Sequence, residues 1–338
     1  MLVTMSSDRD IHLPMEGNGA QEYGFLRPAW YGMLARHCFA GAAVHMARAQ
    51  TGNSRVILPL VDQDDRISSL SNYYSFAYGP MFEGTPTMRE RQAMLIRIAA
   101  DLKKSRHRVS LYPLIEDGSG MADELRRAFA KAGWIAVLTD QNSNHVLNLR
   151  GRDFATYWEQ RPGQLRSSVK RKSKAERYHF EIKDHISDAS WTNYCAIYAS
   201  SWKNAEPWPE MIRAMAQEAA VRGALRLGFA YRKDDGRPVA TQLWTKEGDT
   251  ACIHKIAHDS SEDASSPGTL LSHHMFAHMI DAEKIAHIDY GTGGNSYKRD
   301  WMEHERPMLR LDCFDPRRAS LWLPALKTRI SRLVRRPS

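Results

Sequence analysis

Cysteine is scarce and dispersed in this 338-residue sequence: Cys38, Cys195, Cys252 and Cys313 include no CxxC pair. That spacing argues against a disulfide framework and against a thiolate metal site. Long apolar runs are missing as well. No stretch of about 18 consecutive apolar residues occurs, so no membrane-spanning helix is expected. Met1–Glu16 lacks the basic start, apolar run and small-residue cleavage site of a secretory signal. These absences suit a chain working in a reducing, cytoplasmic environment. Metal chemistry also lacks its residues. His273, His274 and His278 share a helical stretch, but no acid or third ligand at suitable spacing completes them, so no metal is expected.

What is present is ordinary for a globular protein, with 43% hydrophobic and 25% charged residues. The length exceeds what one common core serves, so two domains are expected. The formal charge of +8 suits a polyanionic ligand but does not select one. Residues 1–20 read as a flexible start. From Pro28 onward the pattern runs through a short helix, three extended segments (to Ala49, Arg55–Val61 and Ile67–Tyr78), a helix over Met88–Arg106, a strand Val109–Ile115, a helix Ala122–Ala132 and two extended pieces over Trp134–Leu149. The second half begins with a helix over Asp153–Glu176, a strand His179–Lys183 and two more helices. A meander of Leu225–Arg232, Pro238–Lys246 and Thr250–His258 follows, turning at Asp234-Asp235-Gly236 and Glu247-Gly248-Asp249. A helix Pro267–Lys284, a strand Ala286–Tyr290, a glycine turn, a helix Ser296–Met302 and a strand Met308–Phe314 complete it. The order βββ, α, β, α, β thus occurs twice, which argues for a duplicated α+β fold. The expected domains are 21–150 and 151–315, with a basic tail over 316–338.

Two stretches carry chemistry. In the first, the strand Thr250–Asp259 leads through a loop to Ser266-Pro267-Gly268-Thr269. Ser266 is a natural N-cap and Pro267 suits the first helical position, so the turn offers free amides and the positive end of a helix dipole to an anion. Many Ser-Pro helix starts bind nothing; a position after a central strand is what favours a ligand. The second is Ile288-Asp289-Tyr290-Gly291-Thr292-Gly293-Gly294-Asn295-Ser296-Tyr297-Lys298. Its clustered glycines mean unusual backbone angles or close approach of a ligand, and an acid at the strand end is costly unless used or paired. Asp289 either serves a reaction or pairs with Lys298 or Arg299.

Taken in order, Gly236–Trp244, Lys255–Asp259, Ser266–Leu271, Ile288–Gly293 and Tyr297–Trp301 resemble the GNAT acetyltransferase-like family grouped with CelD-type and FemAB-related proteins, over about residues 150–315. The resemblance implies tandem GNAT-like domains, each a mixed, mostly antiparallel sheet flanked by helices, the first a scaffold and the second catalytic. It implies acyl transfer from acetyl-CoA or another acyl-CoA to an amine or hydroxyl of a small-molecule, polysaccharide or cell-envelope precursor. Pantetheine would run beside Ile253, Lys255 and Ala257, and the pyrophosphate would meet Ser266, Gly268 and Thr269, with Lys298 also assigned to the cofactor. Tyr297 stands where a tyrosine protonates the leaving thiolate, and Asp289 or His254 is the candidate base. Acceptor contacts are assigned to Trp202, Lys203, Trp208, Gln242, Trp244 and Gly291. The family's glycine-rich pyrophosphate signature is replaced here by the shorter Ser-Pro-Gly-Thr.

FemAB-type relatives use an aminoacyl-tRNA donor, which makes a tRNA-dependent ligase the alternative. The cationic residues Arg166, Lys170, Lys174 and Arg177 at helical spacing, with Arg171 and Lys172 close by, are either a solvated face or a grip on RNA. A polyanion-binding module without catalysis is a third reading; DNA is not an expected partner. The paired histidines His254 and His258 read as lying on one face of their strand. The tail after Pro316, with Lys327, Arg329, Arg332, Arg335 and Arg336 among apolar residues, reads as a solvated terminal helix or a peripheral membrane contact. No oligomeric state follows from the sequence.

Overall fold

The computed structural model describes residues 3–6, 24–115, 118–293 and 296–334. The chain forms two compact units, one from the residues up to Asn144 together with those from Arg306 onward, the other from His145–Glu305.

The first unit opens with β1 (Val3–Ser6), which runs antiparallel to β2 (Val44–Thr51) with Val3 opposite Ala49. These first residues are therefore strand where a flexible segment was expected, while residues 7–23 lie outside the described residues. Pro28, its fixed φ suited to a first turn, starts α1 (Pro28–His37). A hairpin at Gly52 joins β2 to β3 (Ser54–Gln63), and β4 (Arg66–Ser69) follows. The third extended segment is shorter than expected. After Ser69 the chain leaves the sheet, Asn72 accepts from the Tyr74 amide at 3.0 Å, and Tyr74, Phe76 and Tyr78 are buried, so these aromatics fill a core without belonging to a strand. Then come β5 (Met81–Glu83), α2 (Met88–Ser105), closed at its start by a Thr87–Glu90 capping box, β6 (Arg108–Ile115), α3 (Met121–Lys131) and β7 (Ile135–Asn148), one strand where two were expected.

In the second unit the single helix expected over 153–176 is two, α4 (Phe154–Glu159) and α5 (Gly163–Ser173), because Pro162 has no amide to continue the ladder. They precede β8 (Tyr178–Lys183), α6 (Asp188–Ala199), α7 (Pro209–Val221), β9 (Leu225–Arg232), β10 (Pro238–Glu247), β11 (Thr250–His258), α8 (Pro267–Ala277), β12 (His287–Thr292) and α9 (Ser296–Trp301). The order across its sheet is β12-β11-β10-β9-β8, antiparallel throughout except for the parallel β11–β12 pair. The chain then enters β13 (His304–Phe314) and α10 (Trp322–Val334).

β13 corrects the expected division of the chain. It pairs antiparallel with β6, Met308 opposite Ile115, so the first unit's sheet runs β1-β2-β3-β4-β6-β13-β7. Element order told that a strand follows the last helix, but pairing depends on contacts across some 200 residues of sequence that no local pattern encodes. Both sheets are mixed and mostly antiparallel with flanking helices, the α+β class that was expected.

α8 is held on the second sheet by a tightly filled core. Trp244 meets Phe276 edge-on at 5.1 Å, Tyr157 stacks on Phe276 at 5.6 Å, and the Tyr157 hydroxyl donates to the Trp301 carbonyl at 2.9 Å. Gly228 on β9 lets α8 approach closely; a Cβ there would lie 2.5 Å from Met275 Sδ.

Candidate active site

The site grows from an irregularity in β11. Leu243 of β10 stands opposite Lys255, but its neighbour Trp244 stands opposite Ile253, so His254 is an extra residue, a β-bulge. One inserted residue shifts the alternation of faces. His254 turns to Thr245, its Nε2 2.9 Å from the hydroxyl, while His258 lies under the start of α8, its Nδ1 3.0 Å from where a Gly268 Cβ would stand. The two histidines expected on one face are thus separated. The parallel ladder to β12 is equally abrupt. It covers Thr250–Cys252 with His287–Asp289, yet β11 runs on to His258 and β12 to Thr292. Past Cys252 and Asp289 the two edges bear no mutual ladder among the described residues.

Beyond the end of β11 stands the first turn of α8. Ser266 adopts a left-handed conformation (φ 52°) and does not cap the helix. Its hydroxyl is taken up by Lys172 of α5 and by the Asp263 carbonyl, and Arg177 reaches Ser265 at 3.3 Å. The basic stripe is accordingly not one helical face: α5 ends at Ser173, and of these cations Lys172 and Arg177 are the ones that reach the turn. The opening amides of a helix have no intrahelical acceptor, and Gly268 and Thr269 stand in that first turn. Trp202, 54% exposed, lies 4.7 Å from the His258 ring beside this turn.

On the β12 side, Asp289 is 2% exposed and accepts from the Gly291 amide at 2.8 Å. Gly291 has φ 67°, a conformation that suits glycine, and bends the chain so that this bond can form. Lys298 of α9, 6% exposed, donates to the carbonyls of Tyr290 at 2.9 Å and Thr292 at 2.5 Å. It clamps the glycine turn and is not free for a cofactor phosphate, which corrects its expected role. Tyr297 packs edge-on to Tyr290 at 6.0 Å. Gly294 and Asn295 of the motif lie outside the described residues.

A cationic group faces this region from α6 and the segment after it. Lys255 donates to Glu206 at 2.5 Å, and Lys203 lies 5.8 Å from the Tyr198 ring. The Lys255 side chain is therefore engaged by a carboxylate. Desolvation, then the neighbouring Lys255, lowers the Lys203 ammonium to a pKa of about 8. Lys298 also falls to about 8, mainly through desolvation; Asp289 opposes the fall and Lys203 adds to it, so these groups lie within electrostatic reach of one another. Burial takes His254 to about 3, with Lys255 adding to the shift. An imidazole that holds a proton so weakly is a poor base near neutrality, and this argues against His254 in that role. Two acceptor residues also change place. Trp244 is fully buried and donates to Gln242, whose amide donates to Ser272, so both build the core under α8 and offer an acceptor no surface. Trp208 precedes α7 as its N-cap residue. Tyr198, Thr245 and the role of Glu206 were not foreseen; the one sequence signal was an acid held between Trp202 and Trp208 and next to Pro207.

Residues 160–299 match the family model of the acetyltransferase (GNAT) domain. The fold of the chain is GNAT-like. Its fold is similar to that of FemX (TM-score 0.62, 8% identity, 90% of this chain and 94% of that one). It is also similar to the C-terminal domain of a lysylphosphatidylglycerol synthetase from Agrobacterium fabrum (0.55, 12%, 88% and 90%). L-PGS from Bacillus licheniformis gives 0.54 at 11% identity, over 91% and 92%. At these identities the likeness is one of fold. No curated protein matches. Among the described residues no helix is long and apolar enough to cross a membrane, and no cluster of three metal-ligating side chains occurs.

Proposed function

We propose that the second unit of this GNAT-like chain transfers an acyl group from a CoA thioester to an amine or hydroxyl, with a cell-envelope precursor as acceptor class. The observation that carries the reading is the ladder that stops at Cys252 and Asp289 beside the His254 bulge. Two parallel strands that cease to pair leave backbone groups of Ile253–Ala257 for the amides of a pantetheine chain. The amides of Gly268 and Thr269, with Lys172 beside them, suit a diphosphate, and the exposed Trp202 ring suits an adenine.

In this reading the chain's own groups divide the work. Asp289 takes the proton that the attacking amine or hydroxyl gives up, with the Lys298 ammonium of α9 close to it. Tyr297 returns a proton to the departing sulfur. Lys203, Lys255 and Glu206 form the acceptor's polar wall, alternating in charge, which suits a zwitterionic or amino-bearing acceptor. General acid–base assistance of this kind is worth roughly 10²–10⁴-fold in rate.

Exposed cations on α5 favour a second reading, in which the donor is an aminoacyl-tRNA: Arg166, Lys170 and Arg171 lie open on the helix whose Lys172 meets the α8 turn. The two donors share an adenosine and phosphates, and differ in length and charge. Thermal shift with acetyl-CoA, longer acyl-CoAs and charged tRNA separates them, since a ligand preferring the folded form raises the melting temperature. The expected result is a rise with an acyl-CoA that survives moderate salt. A rise with charged tRNA alone, falling steeply with salt, selects the second donor. No response to any of them removes the transferase reading. Asp289→Asn should lower kcat at least about 10²-fold while leaving donor affinity intact; unchanged turnover would take the base elsewhere.

A further inference from the structure

α10 carries its polarity in the reverse of the usual sense. Trp322, Leu323, Leu326 and Ile330 are between 50% and 69% exposed, whereas Ala325 is buried and Pro324 and Thr328 are half-buried. The spacing 322, 326, 330 is one face of a helix, with 323 at its border. A surface helix normally turns such a stripe to the core. Here the small and polar residues face the protein and the large apolar ones face out. The start of the helix is tied down by the Trp322 indole, which donates to the Pro316 carbonyl at 2.9 Å, while the Thr328 hydroxyl bonds back within the helix to the Pro324 carbonyl at 2.9 Å. Lys327 and Arg329 are exposed and border the stripe on either side.

Charge says what the stripe fits. Residues 316–338 contain seven basic side chains and no acidic one, against a formal excess of +8 for the whole chain. Elsewhere the two signs almost cancel. A second copy of the chain would set two such cationic segments against each other, and RNA would meet the cations but leave the apolar stripe in water. A surface with anionic phosphates above and hydrocarbon below satisfies both faces. We propose that α10 lies in the headgroup region of an anionic bilayer, Trp322, Leu323, Leu326 and Ile330 entering the acyl boundary and the flanking cations meeting phosphate. At 13 residues it rests on the membrane and does not cross it.

Co-sedimentation of the full chain with vesicles tests this, using phosphatidylcholine alone and phosphatidylcholine with phosphatidylglycerol. Binding should require phosphatidylglycerol and fall as salt is raised. The double variant Leu326→Ser, Ile330→Ser should weaken it by about tenfold or more, the scale set by removing two buried aliphatic side chains. Lys327→Gln with Arg329→Gln should weaken it on the anionic vesicles. Because these side chains are exposed, circular dichroism and melting temperature should stay as in the parent, which separates lost docking from lost folding. Equal sedimentation of parent and Leu326→Ser, Ile330→Ser protein would overturn the proposal. So would a dimer by light scattering that the same double variant dissolves, or RNA binding in the absence of vesicle binding.

Discussion

Lys203 and Lys298 hold their protons less tightly than an ordinary lysine, at about 8 against 10.5. For a lowered lysine the sign of the linkage is fixed. Below about 8 both folded and unfolded chains carry the proton and the full cost of desolvating the cation is present. Between about 8 and 10.5 the unfolded chain binds more protons than the folded one, so the stability contributed by the group rises with pH. Lys203→Met removes one such group. In urea denaturation the parent should therefore gain on the Lys203→Met protein as pH is raised from neutral into this window. Buried tyrosines such as Tyr31, Tyr78 and Tyr290, whose hydroxyls are raised by desolvation, work against stability at the alkaline end, but they are common to both proteins and cancel in the difference. A gap that stays constant with pH would mean that Lys203 keeps an ordinary proton affinity. The sequence announced the acid–glycine motif that carries Asp289, because an acid before a glycine turn is conspicuous. It did not announce Lys203 as a perturbed group, since that depends on burial by the fold and then on Lys255, which comes from a different element.

At the scale of elements, local chemistry was legible where a single residue decides the geometry. Pro267 and Pro28 start their helices, and Gly236 and Gly248 turn their hairpins, with φ of 70° and 60°. The bulge at His254 was not legible, because the extra residue exists only relative to β10. The same limit hid the destination of β13. Gly228 is a further case of a residue whose reason lies on another element. Alanine there forces its Cβ against Met275 Sδ at 2.5 Å and brings it within 3.4 Å of Leu271. Overpacking of this sort costs about 1–3 kcal/mol. The urea midpoint of Gly228→Ala protein should fall accordingly, and donor binding should weaken with it because the displaced helix is the one that begins at Pro267. Gly268→Ala tests the other end of that helix. Its Cβ would stand 3.0 Å from His258 Nδ1, so His258 must give way by a few tenths of an ångström. Donor affinity should drop with little change in stability; equal losses in both would assign the turn a purely structural part.

For the whole molecule the consequential feature is that the chain returns to its first unit after completing the second. β13 is an interior strand, hydrogen-bonded to β6 over Met308–Phe314 and adjoining β7 on its other side. Its buried residues include Met308, Leu311, Cys313 and Phe314. A chain that ends after Glu305 therefore retains every residue of the second unit but lacks a central strand of the first. Two sheet edges and their apolar faces are then exposed, the condition under which strands pair with other chains. Residues 145–305, by contrast, form their unit from one continuous segment. Expressed separately, 1–305 should aggregate or show protease-sensitive residues before Asn144, and 145–305 should keep the helical and strand signal of its own elements. Supplying 306–334 as a separate chain to 1–305 should restore protection of β6 amides to hydrogen exchange. If 1–305 folds as well as the full chain, β13 is dispensable and the first unit closes without it, which would require β6 and β7 to pair directly.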